Sequence, residues 1–248
     1  MNDQQLLRYS RQIMMPDFDI AGQEALLNAK VLVVGMGGLG CPVALYLAAA
    51  GVGELWLADF DEVDMSNLQR QIAHTQNDVG RPKVISVAEH IHAINSDIKI
   101  ETMIEKLDGQ RLDLAVNHVD LVVDASDNFA TRFDINRACV QGKKPLVSGA
   151  AIRSEGQVAI FDSRQQNASC YRCLYPDSSD DTQLSCSESG VLSPLVGVIG
   201  SMQALEAIKL ITGFGDALIG QLMIFDAKVM EWRKLKVPQN PECSECGG

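Results

Sequence analysis

KVLVVGMGGLGCPVALYLAAAG (residues 30–51) decides the fold. A short apolar run leads at once into a turn holding Gly35, Gly37, Gly38 and Gly40, and then into a small-residue helical pattern. Strand, glycine turn and helix in that order open a βαβ unit. ELWLADFD (54–61) supplies its second strand and ends in Asp59 and Asp61. Further along, RPKVISVAEHIHAIN (81–95) reads as a helix with Val84, Val87, Ala88, Ile91 and Ile94 on one face. IKIET (98–102) and DLVVDASDN (120–128) read as strands, FATRFDINRACVQG (129–142) as a helix with a glycine stop, and PLVSGA (145–150) as a buried strand. Alternating β and α elements predict a doubly wound, mostly parallel α/β sheet of Rossmann type over 30–150.

The pattern changes on either side of that unit. Residues 1–29 read as a helical arm, with Leu6, Leu7, Tyr9 and Ile13 around Arg8 and Arg11, that packs on a neighbouring element or a second subunit. Beyond 150, GQVAIFD (156–162), QLMIFDA (221–227) and MEWRKLKV (230–237) have the alternation of antiparallel strands and flank one long helix pattern at 194–213. The part from 151 to 248 is therefore expected to be α+β, extending the same sheet within one continuous domain. PDSSDDTQLSCSESG (176–190) is polar and aperiodic, too long for a turn, and reads as a mobile lid or crossover loop.

Charge narrows the ligand. Against 21 Lys and Arg stand 32 Asp and Glu, a formal charge of −11, which excludes a general nucleic-acid binder or a protein drawn to anionic lipid. An anionic ligand must find a local basic cluster. The apolar stretch 194–212 is interrupted by Gln203, Glu206 and Lys209, each costing several kcal/mol in hydrocarbon, so no membrane span is expected. Seven cysteines and a polar opening argue for a reducing, cytoplasmic setting rather than a disulfide framework.

The glycine turn lets backbone N–H groups and a helix N-terminus approach phosphate, and Asp59 can accept hydrogen bonds from ribose hydroxyls. Alone, this pair is a nucleotide site of unspecified kind, and a nicotinamide-dependent oxidoreductase is its commoner owner. The next segment argues for a triphosphate. DEVDMSNLQRQ (61–71) carries Ser66, Asn67, Leu68, Gln69 and Arg70, and Lys83 follows in GRPKV. A triphosphate needs cations near its developing charge where a pyrophosphate needs few. The alternative is that Arg70 and Lys83 form solvated surface pairs. Asp127 in DASDN suits Mg²⁺, which takes one or two carboxylates plus phosphate oxygens, and Asn128 beside it is a further candidate for the nucleotide site; equally, either residue could cap the helix that starts at Phe129.

The cysteines divide. Cys170 and Cys173, with Cys243 and Cys246, form two CxxC knuckles 69 residues apart, a donor set for a closed tetrahedral structural Zn²⁺ with no open catalytic position; separate thiols are the alternative. Cys41 and Cys139 fall on apolar helix faces. Cys186 stands alone in the polar loop as a candidate reactive thiol, or as a loop residue with no role, since no neighbouring cation lowers its pKa. The four histidines show no ligand spacing.

Together GMGGLG, ADFDEVDMSNLQRQ, GRPK, DASDN, CYRC and CSEC resemble the MoeB/ThiF/HesA family, bacterial relatives of ubiquitin-activating enzymes, over essentially the whole chain. The resemblance implies ATP- and Mg²⁺-dependent adenylation of the C-terminal Gly-Gly of a ubiquitin-like sulfur carrier protein. It implies Asp59 at the ribose, Gly38 at the nucleotide backbone, Ser66 to Arg70 with Lys83 at the phosphates, and Asp127 at Mg²⁺. It further implies a homodimer in which Arg11 of RYSRQI reaches the partner's ATP, and a sulfurtransferase or cysteine desulfurase as sulfur source. SGAAIRSEGQ and SCSESGVLSPLVGVIGS lean toward the branch serving the molybdopterin-synthase carrier, which is the favoured reading; MNDQQLLRYSRQI and CYRCLYPD lean toward the thiamine-pathway branch, the alternative. Two readings of other classes stand beside these: an NAD-dependent oxidoreductase, and a zinc-bearing interaction module without turnover.

Overall fold

The run KVLVV has no polar residue after Lys30, so as a strand it must be covered on both faces. In a computed structural model, which describes residues 1–176 and 189–247, β1 (Lys30–Val34) is that strand. Val31 and Val33 enter one apolar cluster while Leu32 and Val34 enter another on the opposite face. β2 (Glu54–Ala58), β3 (Lys99–Met103), β4 (Leu121–Asp124) and β5 (Leu146–Ile152) run parallel to it, and β6 (Glu155–Phe161), β7 (Gln221–Asp226) and β8 (Glu231–Lys236) continue antiparallel. The order β3-β2-β1-β4-β5-β6-β7-β8 makes one eight-stranded sheet. The chain leaves β1 for β2 on one side and returns to β4 on the other. A crevice therefore opens at the carboxyl ends of β1 and β4, where doubly wound sheets bind ligands.

Helices cover both faces. α1 (Asp3–Arg8), α2 (Ser10–Ile13) and α3 (Asp19–Asn28) form the N-terminal arm, followed by α4 (Gly40–Ala50) and α5 (Lys83–Ile94). α6 (Gly109–His118), α7 (Phe129–Gly142), α8 (Tyr171–Leu174) and α9 (Ser193–Thr212) complete the set among the described residues. Leu26 of α3, Leu47 of α4, Val84, Val87 and Ile91 of α5, and Ala204 and Ala207 of α9 build the first cluster. Leu112 of α6, Ile135 and Ala138 of α7, and Tyr171 build the second. α9 is long and apolar enough to cross a membrane; here it lies on the sheet, with Leu195, Ile199, Gln203 and Glu206 buried.

Some expectations change in detail. The arm packs on its own chain: Tyr9 is buried and its hydroxyl accepts from Asn95 Nδ2 at 2.9 Å, while Gln12 Nε2 donates to Gln23 Oε1 at 2.7 Å and to the Ala50 carbonyl at 3.0 Å. Ile94, expected on the buried face, is exposed because the helix ends there and turns into buried Asn95. α7 does not stop on a left-handed glycine: Gly142 is its last helical residue, and Lys143 takes φ 51°. α6 escaped the sequence reading, since Leu112, Ala115 and Val116 are its only buried side chains. Cys186 and the interior of the 176–190 segment lie outside the described residues.

Candidate functional site

The glycine turn packs because two of its glycines have no room for a side chain. Gly35 sits at φ +94°, and a Cβ there would lie 2.7 Å from the Ala125 carbonyl oxygen; one on Gly40 would lie 1.7 Å from the Gly35 carbonyl oxygen. Any substitution at Gly40 therefore pushes α4 away from the end of β1. Gly37 and Gly38 are half-buried and form the wall of a cavity of about 420 Å³ at the β1/β4 crevice. Their amide hydrogens meet no acceptor among the described residues. Free amides ahead of a helix N-terminus suit an anion.

Asp59, one residue beyond β2, braces the turn. Its Oδ2 accepts the Met36 N–H at 2.6 Å and its Oδ1 the Asp61 N–H at 2.8 Å. Burial raises its pKa above the ordinary range for Asp, against the opposing pull of Lys83 and these two amides. Lys83, the first residue of α5, is buried and directs Nζ to Asp61 Oδ2 at 2.7 Å; its own N–H donates to the Asp61 carbonyl at 3.0 Å. This is not a solvated surface pair. The lysine is held beside the cavity, and its carboxylate partner is half exposed and able to exchange for phosphate.

The segment 64–71 opens with a short 3₁₀ turn, Met65–Asn67, capped by Asp64, which accepts from Ser66 N at 2.8 Å and Ser66 Oγ at 2.6 Å, while Asn67 Oδ1 accepts the Asp64 N–H at 3.1 Å. Arg70 Nη1 donates to the Ser66 carbonyl at 3.1 Å. Asn67, Arg70, Asp61 and Lys83 share the cavity wall with Gly35, Gly37, Gly38 and Asp59. Ser66, Leu68 and Gln69 lie outside it; Ser66 holds the turn, and the Gln69 carbonyl accepts from Ser193 Oγ at the start of α9. Gly40 is buried behind the wall, and Arg11 is exposed on α2, away from the cavity of its own chain.

The opposite wall comes from the loop after β4. Asn128 is the N-cap of α7, its Oδ1 accepting the Thr131 N–H at 2.9 Å. Asp127 is thereby left out of the cap, exposed in the wall and without a partner among the described residues. A free carboxylate lining this cavity fits a Mg²⁺ ligand. Beneath it Asp124 is fully buried and accepts from Ser126 N, Ser126 Oγ and Ser148 Oγ. Arg132, which sequence reasoning missed, also lines the cavity. It is buried, with Nη2 donating to the Ser126 carbonyl at 2.8 Å, and despite that burial Asp124 keeps it firmly protonated. Its position in the first turn of the helix after DASDN was the available signal. Gln71, buried against Gly37, and Lys106, after β3, were missed as well.

Away from the cavity, the four knuckle cysteines meet, with all four Sγ within 4.8 Å of one another. Cys170–Cys173 is 4.0 Å, Cys170–Cys243 3.7 Å and Cys173–Cys246 3.3 Å. Four thiolates at the usual Zn–S length stand about 3.8 Å apart, so the cluster has the size of a tetrahedral metal site. Burial pushes the Cys170 thiol up to about 11. Against its own burial, Cys243 is held down to about 7 by the amides of Cys246 and Glu245. Cys41 and Cys139 are buried and inert, their thiols raised by burial.

Fold and sites together define a doubly wound α/β protein with an anion-accommodating cavity at its switch point and a separate four-thiol cluster. The chain belongs to the ThiF family, whose sequence model matches residues 9–245. It is 47% identical over 247 residues to the Escherichia coli K12 molybdopterin-synthase adenylyltransferase, covering 100% of this chain and 98% of that one. It is 45% identical over 248 residues to the sulfur carrier protein ThiS adenylyltransferase of the same organism, again covering 100% and 98%. The adenylyltransferase and sulfurtransferase MOCS3 of Anopheles gambiae is 45% identical, but this chain spans only 56% of it. A crystal structure of E. coli MccB with ATP superposes with a TM-score of 0.84 over 97% of this chain and 73% of that one; at 22% identity, it shares the fold.

Proposed function

We propose that this chain is an adenylyltransferase that moves AMP from ATP onto the C-terminal Gly-Gly carboxylate of a ubiquitin-like sulfur carrier protein, releasing pyrophosphate. The observation that carries this reading is the convergence of Lys83, Arg70 and the free Gly37 and Gly38 amides on one cavity. So many positive groups on an acidic chain match a triphosphate rather than a dinucleotide. Asp59 would take the ribose hydroxyls, the glycine amides and Asn67 the phosphates, and Asp127 would hold Mg²⁺, which when bound neutralises phosphate charge. The carrier's carboxylate is ionised at neutral pH and attacks the α-phosphorus without a general base. Charge passing to the leaving pyrophosphate meets Arg70 and Lys83. Arg132, buried in the same wall as Asp127, keeps the Asp127 loop in place through the Ser126 carbonyl.

The molybdopterin-synthase carrier is the favoured substrate and the thiamine-pathway carrier the second, since relatives named for each align over the full chain at 47% and 45% identity. The thiol cluster would hold a structural Zn²⁺, and a cytoplasmic setting, where thiols stay reduced, suits it. A sulfurtransferase or cysteine desulfurase would then convert the adenylate to a thiocarboxylate. Incubation with each purified carrier and MgATP should give a carrier heavier by one AMP moiety in the mass spectrum. Absence of that species with every Gly-Gly carrier of the source organism would overturn the proposal.

Arg11 supplies a second test. It is exposed and outside its own cavity, as a residue serving the other subunit of a homodimer would be. Arg11→Ala and Lys83→Ala subunits, each inactive alone, should recover about a quarter of wild-type activity when mixed equally, because half the dimers are mixed and each rebuilds one intact site. No recovery after demonstrated subunit exchange would place Arg11 outside the partner's site.

A further inference from the structure

Between the Arg70 turn and Lys83 lies His74, a buried side chain that the chemistry above does not use. Its Nε2 is 3.2 Å from the Met36 carbonyl oxygen, and its Nδ1 is 2.8 Å from Ser86 Oγ on α5. Cys41 Sγ also donates to that carbonyl, at 3.4 Å, and lies 3.7 Å from Nε2. A carbonyl only accepts, so Nε2 carries the proton and Nδ1 accepts from the Ser86 hydroxyl. Burial lowers the pKa of His74, with Lys83 acting in the same direction, so the ring stays neutral in this tautomer.

The carbonyl matters because of the peptide it belongs to. In a trans peptide the C=O of one residue and the N–H of the next point opposite ways. With the Met36 oxygen drawn down to His74, the Gly37 N–H points up, and Gly37 is in the cavity wall. On the other side of Met36, its own N–H is held by Asp59. The two peptide planes of the turn are thus each held by a side chain, one by the Asp59 carboxylate in the cavity wall and one by the buried His74 imidazole. The imidazole is in turn tied through Ser86 to the helix that starts with Lys83.

We infer that His74 is a positioning residue for the nucleotide: it fixes the Met36–Gly37 peptide so that the Gly37 amide faces the phosphates, and couples that amide to the Lys83 helix. This rests on the nucleotide reading of the cavity. The test is the affinity of the full-length protein for α,β-methylene-ATP with Mg²⁺, by calorimetry, alongside melting temperature. Wild type should bind; if it does not, the nucleotide reading itself fails. His74→Leu removes the donor and should weaken binding about tenfold, the effect of one lost hydrogen bond and a freed peptide. His74→Gln, whose amide can reach the same carbonyl, should restore most of the loss. Ser86→Ala, which leaves the fold's apolar contacts in place, should weaken binding by about threefold and carries the test if His74→Leu does not fold. KM for ATP should rise with KM for the carrier unchanged, a split that general loosening would not give. Wild-type-like nucleotide affinity in both His74→Leu and Ser86→Ala, or equal loss in His74→Gln and His74→Leu, would overturn the inference.

Discussion

Asp127→Ala is expected to lower adenylate formation by about two to three orders of magnitude, the cost of losing a preorganised group at developing phosphate charge. It should leave the melting temperature almost unchanged. The side chain is exposed, makes no hydrogen bond among the described residues, and yields the helix cap to its neighbour. Asn128→Ala should behave in the opposite sense. It removes the acceptor of the Thr131 N–H, costs about 1 kcal/mol of stability, and lowers the melting temperature by about 2–4 °C. The pair separates chemistry from folding at adjacent positions. An Asp127→Ala enzyme of near-normal rate would show that the carboxylate does not handle Mg²⁺.

The second large effect is expected at the thiol cluster. Cys170 is 1% exposed and Cys243 7%, and the chain after β8 is held to the body through them. Replacing Cys170 by Ser, or stripping the metal with a chelator at neutral pH, removes a binding free energy that is part of the folding free energy. A loss of only a few kcal/mol would lower the melting temperature by about 10 °C in a chain of this size. The loss should spread to α8, whose Tyr171 packs between Phe133, Phe161 and Tyr175. Elemental analysis should find one zinc per chain in the wild type and none in Cys170→Ser. A metal-free wild type of unchanged stability would contradict the assignment.

How much of this was legible in the sequence depends on where each signal resides. The β1–turn–α4 unit was legible because KVLVV tolerates only a doubly covered strand and the glycines leave the turn little choice. The antiparallel extension was legible from alternation in GQVAIFD and QLMIFDA, and it appears as β6 and β7 in unbroken register. The knuckles declared themselves by spacing, and the fold brings four sulfurs separated by up to 76 residues into one cluster. Most of the site residues that escaped were polar and buried. Arg132 and His74 look in sequence like ordinary surface residues; only the tertiary structure places a carbonyl against each. Asp127 and Asn128 were interchangeable on paper, because capping depends on backbone angles at one residue. The arm's packing on a neighbouring element was legible, but its partner was not, since the contact runs through Asn95, a residue distant in sequence.

The central claim is that the switch-point cavity activates a carrier's terminal carboxylate with ATP. Exchange of labelled pyrophosphate into ATP tests it most directly, because it requires a reversible adenylate. Exchange should appear only when a carrier with an intact C-terminal Gly-Gly is present, and should vanish with Lys83→Ala enzyme or with a carrier lacking its last glycine. Exchange that is absent with every carrier, or that proceeds equally without one, would contradict it.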